Sequence, residues 1–149
     1  MYKHILIATD GSELSEKGLD HGLALAKALG AAVTVVTVTA NEFLSPYEMA
    51  EEAGRGNNPL ETYRNAMKKE ADKILEAASA KARAAGVDIR TGHIAERHPA
   101  EGIVEAATDR KCDLIIMASH GRRGVQRLML GSQTAEVVTT TTIPVLVVR

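Results

Sequence analysis

Five short apolar runs, each separated from the next by a helix-length segment, restrict this chain more than any other feature. They are His4–Thr9, Ala32–Ala40, Val87–Ala95, Asp113–Ala118 and Ile143–Val148. Within them ILIA, LIIM and VLVV have no polar face, as strands covered on both sides must not. The third run alternates instead. Val87, Ile89 and Thr91 face one way and Asp88, Arg90 and Gly92 the other, which places it at a sheet edge.

The intervening segments have helical spacing. Ser12–Leu29 sets Leu19, Leu23, Ala26 and Leu29 on one stripe and stops at Gly30. Leu60–Ala85 does the same with Tyr63, Met67, Ala71, Ile74 and Ala78, and stops at Gly86. Pro99–Asp109 brings Ile103, Val104 and Ala107, and Ser132–Thr140 runs up to a threonine tract and Pro144. Strand–helix alternation implies right-handed crossovers, and hence an α/β fold: a doubly wound, five-stranded parallel sheet with helices on both faces. Only Asn41–Pro59 resists this reading. It is longer than an ordinary connector and contains Gly54 and Gly56, so we expect an irregular lid or mobile insertion. The 149 residues form one domain, 1–149, with no linker or repeat.

Composition narrows the function. With 18 Lys and Arg against 19 Asp and Glu there is no basic field to recruit nucleic acid. Three Tyr, one Phe and no Trp leave no platform for stacking bases. The one cysteine, Cys112, excludes an internal disulfide and a thiolate-rich metal site; at the start of an apolar run it reads as a structural thiol. His4, His21, His93 and His98 lack paired metal spacing. No stretch approaches the ~18 apolar residues of a membrane span, and the opening run ends at Asp10, too soon for a signal core. The expectation is a cytoplasmic protein that meets neither membrane nor nucleic acid.

Ligands of open α/β sheets gather beyond the carboxyl ends of the strands, where the strand order reverses. Two loops fall there. One is Thr9-Asp10-Gly11-Ser12; the other is Ala118-Ser119-His120-Gly121, continuing through Arg122-Arg123-Gly124 to Gly131-Ser132. Gly121, Gly124 and Gly131 allow positive φ and close backbone approach. Gly131-Ser132 opens a helix whose free N–H groups favour phosphate. The helix dipole supplies only ~0.3–1 kcal/mol. Charge-assisted hydrogen bonds of ~1.5–3 kcal/mol each must therefore dominate. Backbone amides, the Ser132 hydroxyl and one or two of Arg122, Arg123 and Arg127 are the available donors.

Asp10 has two readings, as the cap of the helix that begins near Ser12 or as an acceptor for ribose hydroxyls. His120 is first a turn residue that orients the loop and second a ligand contact. Leu128, Met129 and Leu130 read as core anchors of the loop. Neither G-x-x-x-x-G-K-[ST], G-x-G-x-x-G after a strand, nor G-x-S-x-G occurs. The residues alone thus indicate an anion-binding loop.

The opening ILIATDGS resembles the first strand and acidic turn of the universal stress protein family. Ala118-Ser119-His120-Gly121, nine residues, Gly131-Ser132 and the closing IPVLVV resemble its signature G-x-x-G-(nine residues)-G-[ST] and last strand. The likeness covers the whole chain and is specific in its spacing. It implies a Rossmann-like fold with strand order 3-2-1-4-5 and, from the ATP-binding branch of the family, ATP as ligand, with or without Mg2+. In that branch the motif glycines and serine wrap the phosphates, roles that fall here to Gly121, Gly131 and Ser132. Asp10 corresponds to the acidic residue that binds the nucleoside, and Val38 to the backbone that meets adenine. Thr9, Met117, Ala118, His120, Arg122, Arg123 and Gln133 complete the candidate set. Ala118 stands where the motif has its first glycine.

The implied function is an ATP-binding stress-response sensor or switch, with at most slow hydrolysis or self-phosphorylation. It would act as a homodimer joined through the C-terminal strand, which the family's strand order puts at a sheet edge. A nucleotide-free dimeric interaction module is the alternative. An adenylating enzyme is disfavoured, because Thr9-Asp10-Gly11-Ser12 lacks the glycine pair such synthetases place after their first strand.

Overall fold

The computed structural model describes residues 1–40, 44–121 and 129–149. Its strands are β1 (His4–Ala8), β2 (Ala32–Thr39), β3 (Ile89–Ala95), β4 (Leu114–Ala118) and β5 (Val145–Val148). Its helices are α1 (Glu13–Leu29), α2 (Pro46–Gly54), α3 (Pro59–Ala85), α4 (Pro99–Asp109) and α5 (Ser132–Thr140). All strand pairs are parallel, in the order β3-β2-β1-β4-β5. The expected fold and strand order are therefore those of the protein, and the half-polar β3 is an edge strand.

Apolarity on both faces of β1 has a direct cause. Ile5 and Ile7 enter a core with Leu19, Leu23, Val35, Leu75 and Ile116, under α1 and α3. Leu6, between them, enters the opposite core with Val36, Ile103, Ile115 and Val137, under α4 and α5. All three β1 side chains are fully buried, each worth ~1.5–3 kcal/mol relative to exposure. A carboxylate at Leu6 would break this arrangement, leaving an unpaired charge between sheet and helices. Helix α1 lies close enough to the sheet that a Cβ at Gly22 would overlap the Ile7 side chain.

Local chemistry sets the helix ends. Ser12 caps α1 by accepting from the Ser15 N–H at 3.2 Å. Gly30 and Gly86 end α1 and α3 in the left-handed conformation, at φ 65° and 70°, which glycine adopts without a Cβ penalty. Leu29, expected on the buried stripe, is 41% exposed, because it sits in the last turn beyond the sheet. In α3, Leu75 and Ala82 join Ala71 and Ala78 in the core, while Ile74 is only partly buried.

The largest correction concerns the expected irregular insertion. Residues 41–43 lie outside the described part, but Pro46–Gly54 is helical, and α3 already begins at Pro59. The Ser45 hydroxyl accepts from the Glu48 N–H at 3.2 Å, and Glu48 accepts in return from the Ser45 N–H at 2.8 Å. This reciprocal capping box, with Pro46 in the first turn, nucleates α2. The helix buries none of its residues.

Candidate functional site

Strand order reverses between β1 and β4, and the two suspected loops leave the sheet there side by side. The first is a tight turn. The Asp10 Oδ1 accepts from the Ser12 N–H at 2.9 Å, and Gly11 takes φ 77° so that the chain can turn into α1. Ser12, not Asp10, caps the helix, so the capping reading of Asp10 is set aside.

Thr9 is committed to structure. Its Oγ1 lies 3.0 Å from Ser15 Oγ and accepts from the Gly11 N–H at 3.3 Å. The Ser15 hydroxyl donates to the Ser12 carbonyl at 2.9 Å, so Thr9 must donate to Ser15. With Thr9 only 7% exposed, this closed network fixes the turn from behind.

The second loop begins where β4 ends. Met117 and Ala118 are buried strand residues. Strand alternation turns the Ala118 methyl toward α1, on the face opposite Met117. Ser119 is buried, with its hydroxyl 3.1 Å from His120 Nδ1. The two loops then touch, because a Cβ built on Gly121 would lie 2.8 Å from Asp10 Oδ2. Only a glycine lets the second loop come this close to the carboxylate of the first.

Gly131 brings the chain back to the same spot. Its N–H donates to the Ser119 carbonyl at 2.8 Å, and a Cβ there would lie 3.1 Å from that oxygen and 3.3 Å from His120 Cδ2. Its φ is −61°, and Gly121 is not among the positive-φ glycines. Close approach, rather than a left-handed backbone, is what both positions require. Gly131 is the N-cap of α5 and, having no side chain, leaves the first-turn amides without a cap from that position. Ser132 is exposed at this helix start.

Two α5 residues hold that start in place. The Thr134 hydroxyl, 3% exposed, donates to the Ala118 carbonyl at 2.9 Å. Gln133 Oε1 accepts from the Ala100 N–H at 3.1 Å and so caps α4, whose own N-cap His98 makes no side-chain cap bond. Gln133 was expected at the ligand; its carbonyl end is turned instead to α4. His98 Nε2 lies 2.9 Å from Glu136 Oε2, and that hydrogen bond raises the His98 pKa above its ordinary value.

Val38, near the end of β2, packs with Ile94 toward α4. Arg122, Arg123, Gly124, Arg127 and Leu128 lie outside the described residues. Met129 is 79% and Leu130 37% exposed, so neither is a core anchor. Sequence reasoning did not single out Thr134, whose hydroxyl follows the Gly-Ser pair by two residues and was the available signal.

Elsewhere, Cys112 is 6% exposed, and burial pushes its thiol pKa up to about 11. His4, His21 and His93 bond locally, to Thr34 Oγ1, the Lys17 carbonyl and Thr39 Oγ1. Among the described residues no group of three or more His, Cys, Asp or Glu side chains is placed to hold a metal, and no helix is long and apolar enough to cross a membrane. A cavity of about 570 Å³ beside Gly30, Gly86 and Arg90 lies at the amino ends of the strands, the wrong end for this cradle.

Comparison with known proteins decides the family. The model of the universal stress protein family matches residues 1–149. The chain belongs to the universal stress protein family. "Universal stress protein YxiE" of Bacillus subtilis is 34% identical over 149 residues, covering 100% of both chains. Among solved structures, MJ0577 of Methanocaldococcus jannaschii has a TM-score of 0.79 at 29% identity, covering 99% of this chain and 96% of that one. A universal stress protein in complex with cAMP has a TM-score of 0.68 at 26% identity, covering 99% and 97%.

Proposed function

We propose that this universal stress protein binds ATP in the cradle between Asp10, Gly121 and the start of α5, and acts as a sensor or switch. The observation behind this reading is the contact between the two loops at the switch point. Gly121 lies against Asp10 Oδ2 with no room for a Cβ, and Gly131 lies against Ser119 and His120 at the start of α5. A carboxylate then stands beside a helix N-terminus. Ribose hydroxyls suit the first and phosphates the second. A relative that binds an adenine nucleotide, cAMP, shares the fold over nearly the whole chain.

Asp10 takes the ribose, the amides and hydroxyl at Ser132 take phosphate, and the backbone near Val38 meets adenine. Arg122 and Arg123 are assigned to phosphate from sequence alone. Ala118 does not favour the nucleotide-free reading, because it is buried as the last residue of β4. Without a metal cluster among the described residues, an accompanying Mg2+ would be held chiefly by phosphate and water. The active unit is a homodimer paired through β5, whose Leu146 is 39% exposed at a sheet edge. Its site of action is the cytoplasm.

Mass spectrometry of gently purified protein tests the ligand. Adenine nucleotide at near one per chain is the expected result, and protein free of nucleotide that also fails to take up added ATP would leave the interaction module. Turnover within the ~1–100 s⁻¹ of kinases would replace the sensor by an enzyme.

A further inference from the structure

A second concavity opens at the carboxyl end of the sheet, away from the cradle. It measures about 230 Å³ and lies between the first turns of α3 and the ends of β2 and β3. Val38 and Ile94 point toward α4, so their neighbours Thr39, His93 and Ala95 turn to the other face, under α3. The cavity therefore shares no residue with the cradle and is separated from the Val38 side chain by the sheet.

Its floor is satisfied and its rim is charged. His93 Nε2 lies 2.8 Å from Thr39 Oγ1, and the Tyr63 hydroxyl donates to the Ala40 carbonyl at 3.2 Å. These bonds fix both rings, and Met67 adds an apolar wall. Arg64 and Lys68 stand one turn apart on α3, over the same opening. Arg64 Nε donates to Glu96 Oε1 at 2.7 Å, and Lys68 pairs with Asp72 at 2.7 Å. Both pairs are solvent-exposed and exchange readily, so an incoming anion can take their place at little loss.

Glu96 adds an independent sign. Its φ is 56°, in the left-handed region that non-glycine residues seldom adopt. The Arg64 pair and the Arg97 N–H, donated to the Thr39 carbonyl at 3.3 Å, hold that conformation across the mouth of the cavity. Strained backbone of this kind clusters at ligand clamps.

The geometry points to a second small-molecule site here, for a small aromatic acid. Its carboxylate sits between Arg64 and Lys68, and its ring lies against Met67 and Tyr63. The volume is below the ~300–1,000 Å³ of pockets for drug-sized ligands, so a whole nucleotide does not fit. Ala40 lines this cavity two residues after Val38. An acid bound here therefore touches the strand end assigned to adenine, as an effector would.

Methyl-13C-methionine NMR tests this, with benzoate as the probe and benzamide as its neutral counterpart. Benzoate should shift the Met67 methyl saturably, and benzamide should not. Arg64→Gln and Lys68→Gln should each weaken benzoate by about tenfold or more, the scale of one lost charge-assisted bond. Both variants should keep the parent's melting temperature and ATP affinity, since glutamine is a good helix former and neither residue lines the cradle. A Met67 signal that stays still, drifts without saturating, responds equally to benzamide, or responds unchanged in Arg64→Gln would overturn the proposal. A benzoate shift at Met117 with none at Met67 would do the same, by placing the acid in the cradle.

Discussion

Gly121→Ala is a small change with a calculable consequence. The new Cβ would stand 2.8 Å from Asp10 Oδ2, closer than real Cβ contacts come. The carboxylate is the end of a short side chain, so the loop relieves the clash by swinging it aside. Among the described residues, that movement costs the turn one hydrogen bond, from the Ser12 N–H to Asp10 Oδ1, worth ~0.5–1.5 kcal/mol net. For the nucleotide the cost is larger. A charge-assisted bond from ribose to Asp10 is worth ~1.5–3 kcal/mol, or about 10- to 150-fold in affinity. Calorimetric titration with ATP should show that loss while the melting temperature moves only slightly. Asp10→Asn should weaken binding in the same direction, and Gly121→Ala on that background should add little, since contacting residues are non-additive. If Gly121→Ala binds ATP within about twofold of the parent, or if the two losses simply add, the contact between the loops does not organise the site.

Other outcomes follow from the same geometry. Gly131→Val crowds the Ser119 carbonyl, 3.1 Å from the new Cβ, and should abolish ATP binding in calorimetry while light scattering still shows a dimer; Ser132→Ala should cost only ~1.5–3 kcal/mol. Leu146→Lys on the exposed face of β5 should shift the dimer toward monomer, and unchanged light scattering would move the interface elsewhere. ATP should slow hydrogen exchange across 44–59, where α2 buries no residue; identical exchange with and without ATP would reduce α2 to a variable connector. Cys112, with its thiol raised to about 11, should resist iodoacetamide in the native protein at pH 8 and react once urea unfolds it. Its linkage has a definite sign. The buried neutral thiol favours the fold below the unfolded thiol pKa of ~8.5, and that stability is lost as pH rises from there to about 11. Cys112→Ser should flatten that alkaline limb.

The sheet was legible because a strand buried on both faces must be apolar on both faces, as Ile5, Leu6 and Ile7 are. The polar alternation of β3 likewise announced an edge. Helix α2 was not legible, because Gly54, Gly56 and Pro59 are stronger punctuation than one capping box. Ser45-Pro46-Tyr47-Glu48 was the signal available. At the cradle, motif spacing located the glycines, and of the two properties it suggested, positive φ and close backbone approach, only the second holds at Gly121 and Gly131. Gly131 has φ −61° and is needed for its closeness to Ser119 and His120. Gln133 as a cap for α4 could not be read from sequence, since its partner Ala100 lies 33 residues away. Nor could the exposure of Met129, because an apolar residue in a loop buries only where the fold supplies a partner.

Whether the cradle holds ATP is decided by calorimetric titration of nucleotide-stripped protein. Saturable binding of one ATP per chain in the parent and no heat of binding in Gly131→Val are the expected results. A parent that gives no heat and no competition with any adenine nucleotide, or a Gly131→Val protein that binds like the parent, would contradict them.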